Sequence, residues 1–338
     1  LAFYDHLTDF AGLPVADYME ARRLTRSGDD PASRHRPPEL DGLADPGSVA
    51  WRLTRYGYGY DEGDQWSSLD YLTGFTGFVS DPAAVSAVVV GSLVDAFRVE
   101  SSDEVRDAFV EIAPRLSGLR FLFYADLFAE ECEASWIRHG DLSPLVAAYP
   151  RLTGFAVRGT GRLSLESLEH PGLRGLTLQG GGLPGRLARQ VASSRLPELE
   201  HLELWLGVED YGGDTAPEDL GPVLSGRAFP GLRSLGLRNA EHTGAWVRAL
   251  AKAPVTARLH TLDLSLGVLR DEDVAPLLEA PVFRGLRRLD LHHHYLSEEA
   301  AGEVRRVLTD AGVEVDLSER LEPDTHHDEV HYYTAVSE

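Results

Sequence analysis

The chain has one cysteine, no surplus of basic residues and no long apolar run. A lone Cys132 can build neither an intrachain disulfide nor a multi-cysteine zinc site, and its plain reading is a small apolar residue in a reducing compartment. Lysine and arginine number 32 against 54 acids, a formal charge of -22. Clustered cations of the kind that bind phosphate are therefore missing, and nucleic acid is not an expected partner. The charge favours basic partners or metal ions instead. The longest apolar stretch, residues 83–94, is interrupted and far short of the roughly 20 residues that span a bilayer. With no secretory signal in view, a cytoplasmic protein that meets no membrane is the expectation. What remains is 338 residues, 43% of them hydrophobic, enough for a substantial core in one elongated domain or two compact ones.

The dominant pattern is an internal repeat. Leu-x-x-Leu-x-Leu recurs at Leu173/Leu176/Leu178, Leu199/Leu202/Leu204, Leu232/Leu235/Leu237, Leu259/Leu262/Leu264 and Leu286/Leu289/Leu291. Weaker copies lie upstream at Val85/Val88/Val90, Leu119/Leu122/Tyr124 and Leu152/Phe155/Val157, and a degenerate one follows at Val315/Leu317. The clear copies begin 26, 33, 27 and 27 residues apart, which is one short strand and one helix per turn of a solenoid. The segments between them agree. Ser297 can cap a helix with Glu298 and Glu299 in its first turn, Arg305 and Arg306 later and Gly312 at its end, over an apolar stripe of Ala300, Ala301, Val304, Val307 and Leu308. Further helices are expected over Thr243 to Lys252 and Asp271 to Glu279, stopped by Pro254 and Pro281.

These residues resemble a leucine-rich-repeat protein with the longer, helix-containing repeat, over roughly residues 83–318. The resemblance implies an α/β solenoid. Repeats of that family carry Asn or Cys three places after the third leucine, where it bonds the backbone between coils, whereas this chain has Gly181, Gly207, Gly267 and His294 there. The ladder must be closed in another way. Residues 1–82 read as an N-terminal cap: a hairpin in "HLTDFAGLPVADY" turning near Gly12 and Pro14, a mobile insertion over residues 27–47, a strand at Trp51 to Leu53, and a helix carrying Leu69, Leu72, Phe75 and Phe78. Residues 319–338 form an acidic tail.

In each strand the leucines at offsets 0, 3 and 5 point inward, so offsets 2, 4 and 6 point out along the concave sheet. That face collects Phe121, Phe123, Arg158, Gln179, His201, Glu203, Trp205, Arg238, Asp263, Arg288, Asp290 and His292, a candidate partner-binding surface. Trp and Arg are enriched at the energetic centres of interfaces, which makes Trp205 flanked by Arg238 the preferred anchor. A solvated face that binds nothing specific is the alternative.

Catalytic motifs fare poorly. "LDLHHHYL" gathers Asp290, His292, His293 and His294, but strand alternation separates them, and His294 falls at the ladder position. They read as structural or solvated histidines. "HHDEVH" has His327 and His331 four apart, but the zincin motif needs Glu directly after the first His and a helix, and the β-prone residues that follow favour extended chain. The glycine run 180–182 leads to Gly185-Arg186-Leu187, without the Lys and Ser/Thr of a P-loop. The expectation is a chain that is not an enzyme and holds no metal or cofactor.

The ending "DEVHYYTAVSE" belongs to no repeat. An acidic terminus is ordinarily disordered, yet residues 331–336 are short, β-prone and aromatic. Together, "HLTDFAGLPV", the repeats and "YYTAVSE" resemble a bacterial group of leucine-rich-repeat proteins encoded beside radical SAM and ATP-grasp enzymes. The resemblance implies a client: the repeats dock a tailoring enzyme and the tail is the peptide it modifies. Tyr332, Tyr333, Thr334 and Ser337 are then candidate modified side chains, with Glu329 and Glu338 as carboxylates that an ATP-grasp ligase could activate. A plain interaction adaptor with a structural tail is the alternative, and a metal-dependent enzyme a remote third.

Overall fold

Short strands form where the leucine spacing predicts them. The structure, a computed structural model, describes residues 5–27, 37–55, 66–93, 102–327 and 329–337. These fall into two compact units, 1–173 and 174–338, each an α/β arrangement built on a mostly parallel sheet. No helix among the described residues is long and apolar enough to cross a membrane.

In the first unit β1 (Asp9–Phe10) and β2 (Leu13–Asp17) form the expected hairpin. Ala11 and Gly12 between them both have positive φ, 55° and 75°, as a two-residue hairpin turn with the right twist demands. From β2 the chain adds β3 (Ala50–Leu53), β4 (Ala87–Val90), β5 (Phe121–Tyr124) and β6 (Gly154–Arg158) in parallel. Ala16, Trp51, Val88, Leu122 and Phe155 pair across these strands, all buried. Residues 1–82 therefore add strands to the same parallel ladder, with Ala16 and Trp51 at the register position that leucine fills in later strands. The helix Ser68–Phe78 begins at a capping box made by Ser67 and Asp70 and buries Tyr71, Leu72 and Phe75. The insertion differs from expectation. Residues 28–36 lie outside the described residues, and Pro38–Ala44 is a helix tied down by the Glu39 carboxylate, which accepts from the Asp17 amide at 3.0 Å.

The outer face of this sheet is covered. Leu7, Phe10 and Leu13 pack, together with Val15, Phe121 and Ala156, on the buried Ala50, Ala87, Val89 and Phe123, so the amino-terminal segment shields the face that alternation leaves apolar. A buried ionic cluster fastens it. Asp126 lies 2.8 Å from Arg52 and 3.6 Å from both Arg158 and His6; His6 is also 3.4 Å from Glu131, and Arg52 donates to the Leu7 carbonyl. Burial pushes the Asp126 carboxyl up, but the His6, Arg158 and Arg52 charges outweigh it and leave the pKa lowered. Hydrogen bonding to Asp126 and Glu131 raises His6 to about 9.

The second unit stacks β7 (Gly175–Gln179), β8 (His201–Gly207), β9 (Ser234–Ala240), β10 (Thr261–Asp263), β11 (Arg288–Asp290) and β12 (Glu314–Asp316) in parallel. Leu176, Leu202, Leu235, Leu262, Leu289 and Val315 are in register. The five leucines are fully buried, each worth about 1.5–3 kcal/mol relative to exposure. Helix Glu298–Thr309 starts at Ser297, whose hydroxyl accepts from the Ala300 amide, and buries Ala301, Val304 and Leu308. Thr243–Leu250 is helical as expected, whereas 271–279 is split into a 3-10 turn and the short helix Ala275–Glu279. Pro254 and Pro281 each open a 3-10 turn.

The missing asparagine ladder is replaced in two ways. Glycine lets neighbouring backbones bond directly: Val208 N donates to Gly181 O at 2.8 Å and Val268 N to Ala240 O at 2.9 Å. A Cβ on Gly267 would stand 2.5 Å from Thr243 Oγ1 and 2.6 Å from the Ala240 carbonyl oxygen. His294, 1% exposed, does what asparagine does elsewhere, with Nδ1 accepting from the Leu296 amide and Nε2 donating to the Leu317 carbonyl.

Two measurements check these assignments. Gly267→Ala should lower the denaturation midpoint, whereas Gly302→Ala, in a helix with nothing within 4 Å, should raise stability by about 0.4–1 kcal/mol. Because the folded-state pKa of His6 is raised, its stabilisation is complete below about 6.5 and is lost as pH rises through about 9. Denaturant midpoints should fall across that window in the native protein and fall less in His6→Gln.

Candidate functional site

Strand alternation sends the predicted surface residues outward, but the structure presents fewer of them than expected. Phe123 and Arg158 are buried under the amino-terminal segment, with the Arg158 guanidinium over the Phe123 ring and bonded to the Leu127 carbonyl. Phe121 is half-buried in the same cluster. These three are not an open face in the first unit.

In the second unit the outward residues satisfy one another. Trp205, the expected anchor, is 3% exposed: its Nε1 donates to Glu203 at 2.7 Å and Arg238 covers its ring at 5.2 Å. Arg238 reaches Glu203 and Asp263 at 3.4 and 3.3 Å and donates to Ser265 Oγ at 2.9 Å. His201 lies 2.9 Å from Ser234 Oγ and 3.8 Å from Glu203. Burial would raise the Glu203 carboxyl, but His201, Arg238 and Trp205 together lower it. Asp263 goes the other way, since its burial outweighs Arg238. Gln179 is half-buried on β7.

Asp290, His292 and Asp316 offer ligand atoms within 4.8 Å of one another. A cation already stands there. The Arg288 guanidinium is 3.0 Å from Asp290, 3.4 Å from Asp316 and 2.5 Å from Glu314. His292 Nδ1 is 2.7 Å from Asp290, a bond that raises His292, and Asp290 stays at about 2 because His292 and Arg288 override the effect of its burial. The donor set fits an ion-pair network better than a metal. His293 leaves the strand with φ 61°, and His294 is the ladder residue described above. His327 has φ 50° beside β13 (Asp324–His326), which pairs antiparallel with β14 (Glu329–His331), so 326–331 is not a zincin helix. The N-terminus of helix Gly185–Ser193 is already met by Asp214, whose carboxylate accepts from the Gly185 amide at 2.6 Å.

The tail is where side chains converge on a peptide. After β14 it passes the carboxyl ends of β11, β10 and β9, bending at Ala335. Tyr295 Oη both accepts from the Tyr333 amide and donates to its carbonyl, each at 3.0 Å. Ala335 N donates to Leu266 O at 2.9 Å. The Asn239 carboxamide brackets Val336, accepting from its N–H at 2.9 Å and donating to its carbonyl at 2.5 Å. Tyr332 sits edge-on to Tyr295 at 5.0 Å and faces the Arg270 guanidinium at 5.2 Å. Thr334 and Val336 are buried, Tyr333 is 48% exposed and Ser337 half-buried. Glu329 is exposed and 3.9 Å from His331, while Glu338 lies outside the described residues.

The groove residues Asn239, Leu266, Arg270 and Tyr295 escape a reading based on leucine spacing, because they sit at or beyond the strand ends. One signal was available: Asn239 is the only asparagine in the chain. It lies one place before the usual ladder position, with a left-handed φ of 54° that asparagine tolerates better than most residues. Asn239→Ala should strip protection from the Ala335 and Val336 amides in hydrogen exchange and destabilise tail docking by about 1–3 kcal/mol, the cost of leaving buried polar groups unpaired.

No protein-family model matches the sequence, and no curated protein matches it. Among solved structures, the chain is similar to a structural-genomics protein from Bacteroides fragilis, at 28% identity and a TM-score of 0.73 over 90% of this chain and 83% of that one. TLR13 in its complex with ssRNA13 matches at 15% identity and a TM-score of 0.40, over 82% of this chain and one third (33%) of the receptor chain.

Proposed function

We propose that the chain is a leucine-rich-repeat solenoid serving as a non-catalytic protein-binding scaffold, which presents its own C-terminal peptide to a tailoring enzyme of the radical SAM or ATP-grasp type. Its place is the cytoplasm, away from membranes and nucleic acid. One observation carries the reading: the repeats hold the peptide mainly by its backbone, and its alternation turns Thr334 and Val336 into the groove while Tyr333 and Ser337 face away. A segment held this way offers side chains to another protein. Five hydrogen bonds to Tyr295, Leu266 and Asn239, each worth about 0.5–1.5 kcal/mol net, leave undocking within the range of local opening. Once an enzyme is bound to the repeats, the tether raises the tail's effective concentration at its active site.

The burial of Thr334 and Val336 also favours a second reading, an adaptor whose tail is a structural closure. Intact and fragment masses of the protein, from cells with and without the neighbouring enzymes, separate the two. A mass change confined to residues 319–338 is expected for a client, with Tyr333 the first candidate. An unchanged tail in the presence of active enzymes would leave the adaptor.

A further inference from the structure

We propose that the groove across the carboxyl ends of β9, β10 and β11 is a peptide-binding site in its own right, with the chain's tail as its resident ligand. When the tail leaves, the groove takes a second extended peptide in trans, one with paired aromatic residues followed by a small residue between two β-branched ones. This goes beyond the client reading and stands whether or not the tail is ever modified.

The groove is prepared independently of the tail. Asn239 N donates to Ser265 O and Leu266 N to His292 O, so the two residues that grip the peptide are fixed by the ladder between coils. Both hold positive φ, 54° and 67°. Asn239 pairs an N–H and a C=O of one residue, as the edge of a strand would, and this reads main chain in any sequence. The order of partners matches too: Tyr295, Leu266 and Asn239, at the carboxyl ends of β11, β10 and β9, meet Tyr333, Ala335 and Val336 in turn.

Chemistry at the two ends sets selectivity. Arg270 and Tyr295 receive the aromatic Tyr332. At the other end the buried sites of Thr334 and Val336 admit β-branched side chains, with Thr334 Oγ1 bonded to Val336 O at 3.1 Å. A tethered tail outcompetes any free peptide by effective concentration, so trans binding requires its displacement.

The test uses the full chain and a fluorescent synthetic peptide of residues 329–338. Ala335→Pro deletes the donor to Leu266 and releases the tail, read by loss of hydrogen-exchange protection at Val336 with an unchanged thermal midpoint. The released variant should bind the peptide at least ten-fold more tightly than the native chain, and adding Asn239→Ala should remove at least ten-fold of that affinity. Three results would overturn the proposal: a tail still protected in Ala335→Pro, a released groove that ignores the peptide, or binding indifferent to Asn239.

Discussion

Everything in the second unit depends on a parallel ladder whose strands are as short as three residues. Such a strand cannot hold its register through backbone bonds alone. The register comes from the buried leucine column of Leu176, Leu202, Leu235, Leu262 and Leu289, because a one-residue slip would expose every one of them. Once that column is fixed, the residues beyond each strand end are fixed as well, and they repeat. Asn239, Leu266, His293 and Glu319 all turn through positive φ seven places after the start of their repeats. The groove that holds the tail is a by-product of this regularity, made specific by the carboxamide that one coil happens to carry.

The same regularity explains how the ladder dispenses with asparagine. Here Gly181, Gly207 and Gly267 let backbone approach backbone, whereas His294 supplies a side-chain bridge. Direct bonding avoids the entropy cost of ordering a side chain, but it leaves no room for one at Gly207 or Gly267. It also accounts for the buried histidine: burial lowers its pKa, which keeps the ring neutral and lets one nitrogen accept while the other donates.

Periodicity made the leucine copies, the Ser297 helix and the hairpin near Gly12 legible, since each is a local rule. The place of β2 and β3 in the parallel ladder was hidden because Ala16 and Trp51 fill the leucine position, and pattern matching weighs residue type above position. Alternation also gave the direction of Phe123, Arg158 and Trp205 but not their cover. Phe10 comes from about 110 residues away in the chain to lie on Phe123, and Arg238 from the next coil lies on Trp205. Burial by a distant segment leaves no mark in the residue it buries. The helix Pro38–Ala44 was missed for a related reason, because its charged, proline-flanked sequence looks like loop until Glu39 is seen reaching the Asp17 amide.

The two faces of the second unit therefore have opposite characters. On the sheet face, Arg238 and Arg288 are ion-paired with the acids around them, so a partner would have to break those pairs and uncover Trp205 before gaining anything. At the strand ends, the Leu266 carbonyl, the Asn239 carboxamide and the Tyr295 hydroxyl bond the tail's main chain, and the tail completes them without breaking an ion pair. Preorganisation of that kind lowers the ordering cost of association. Recognition should thus concentrate at the edge of the sheet where the tail lies, and the charged face should act as its rigid support.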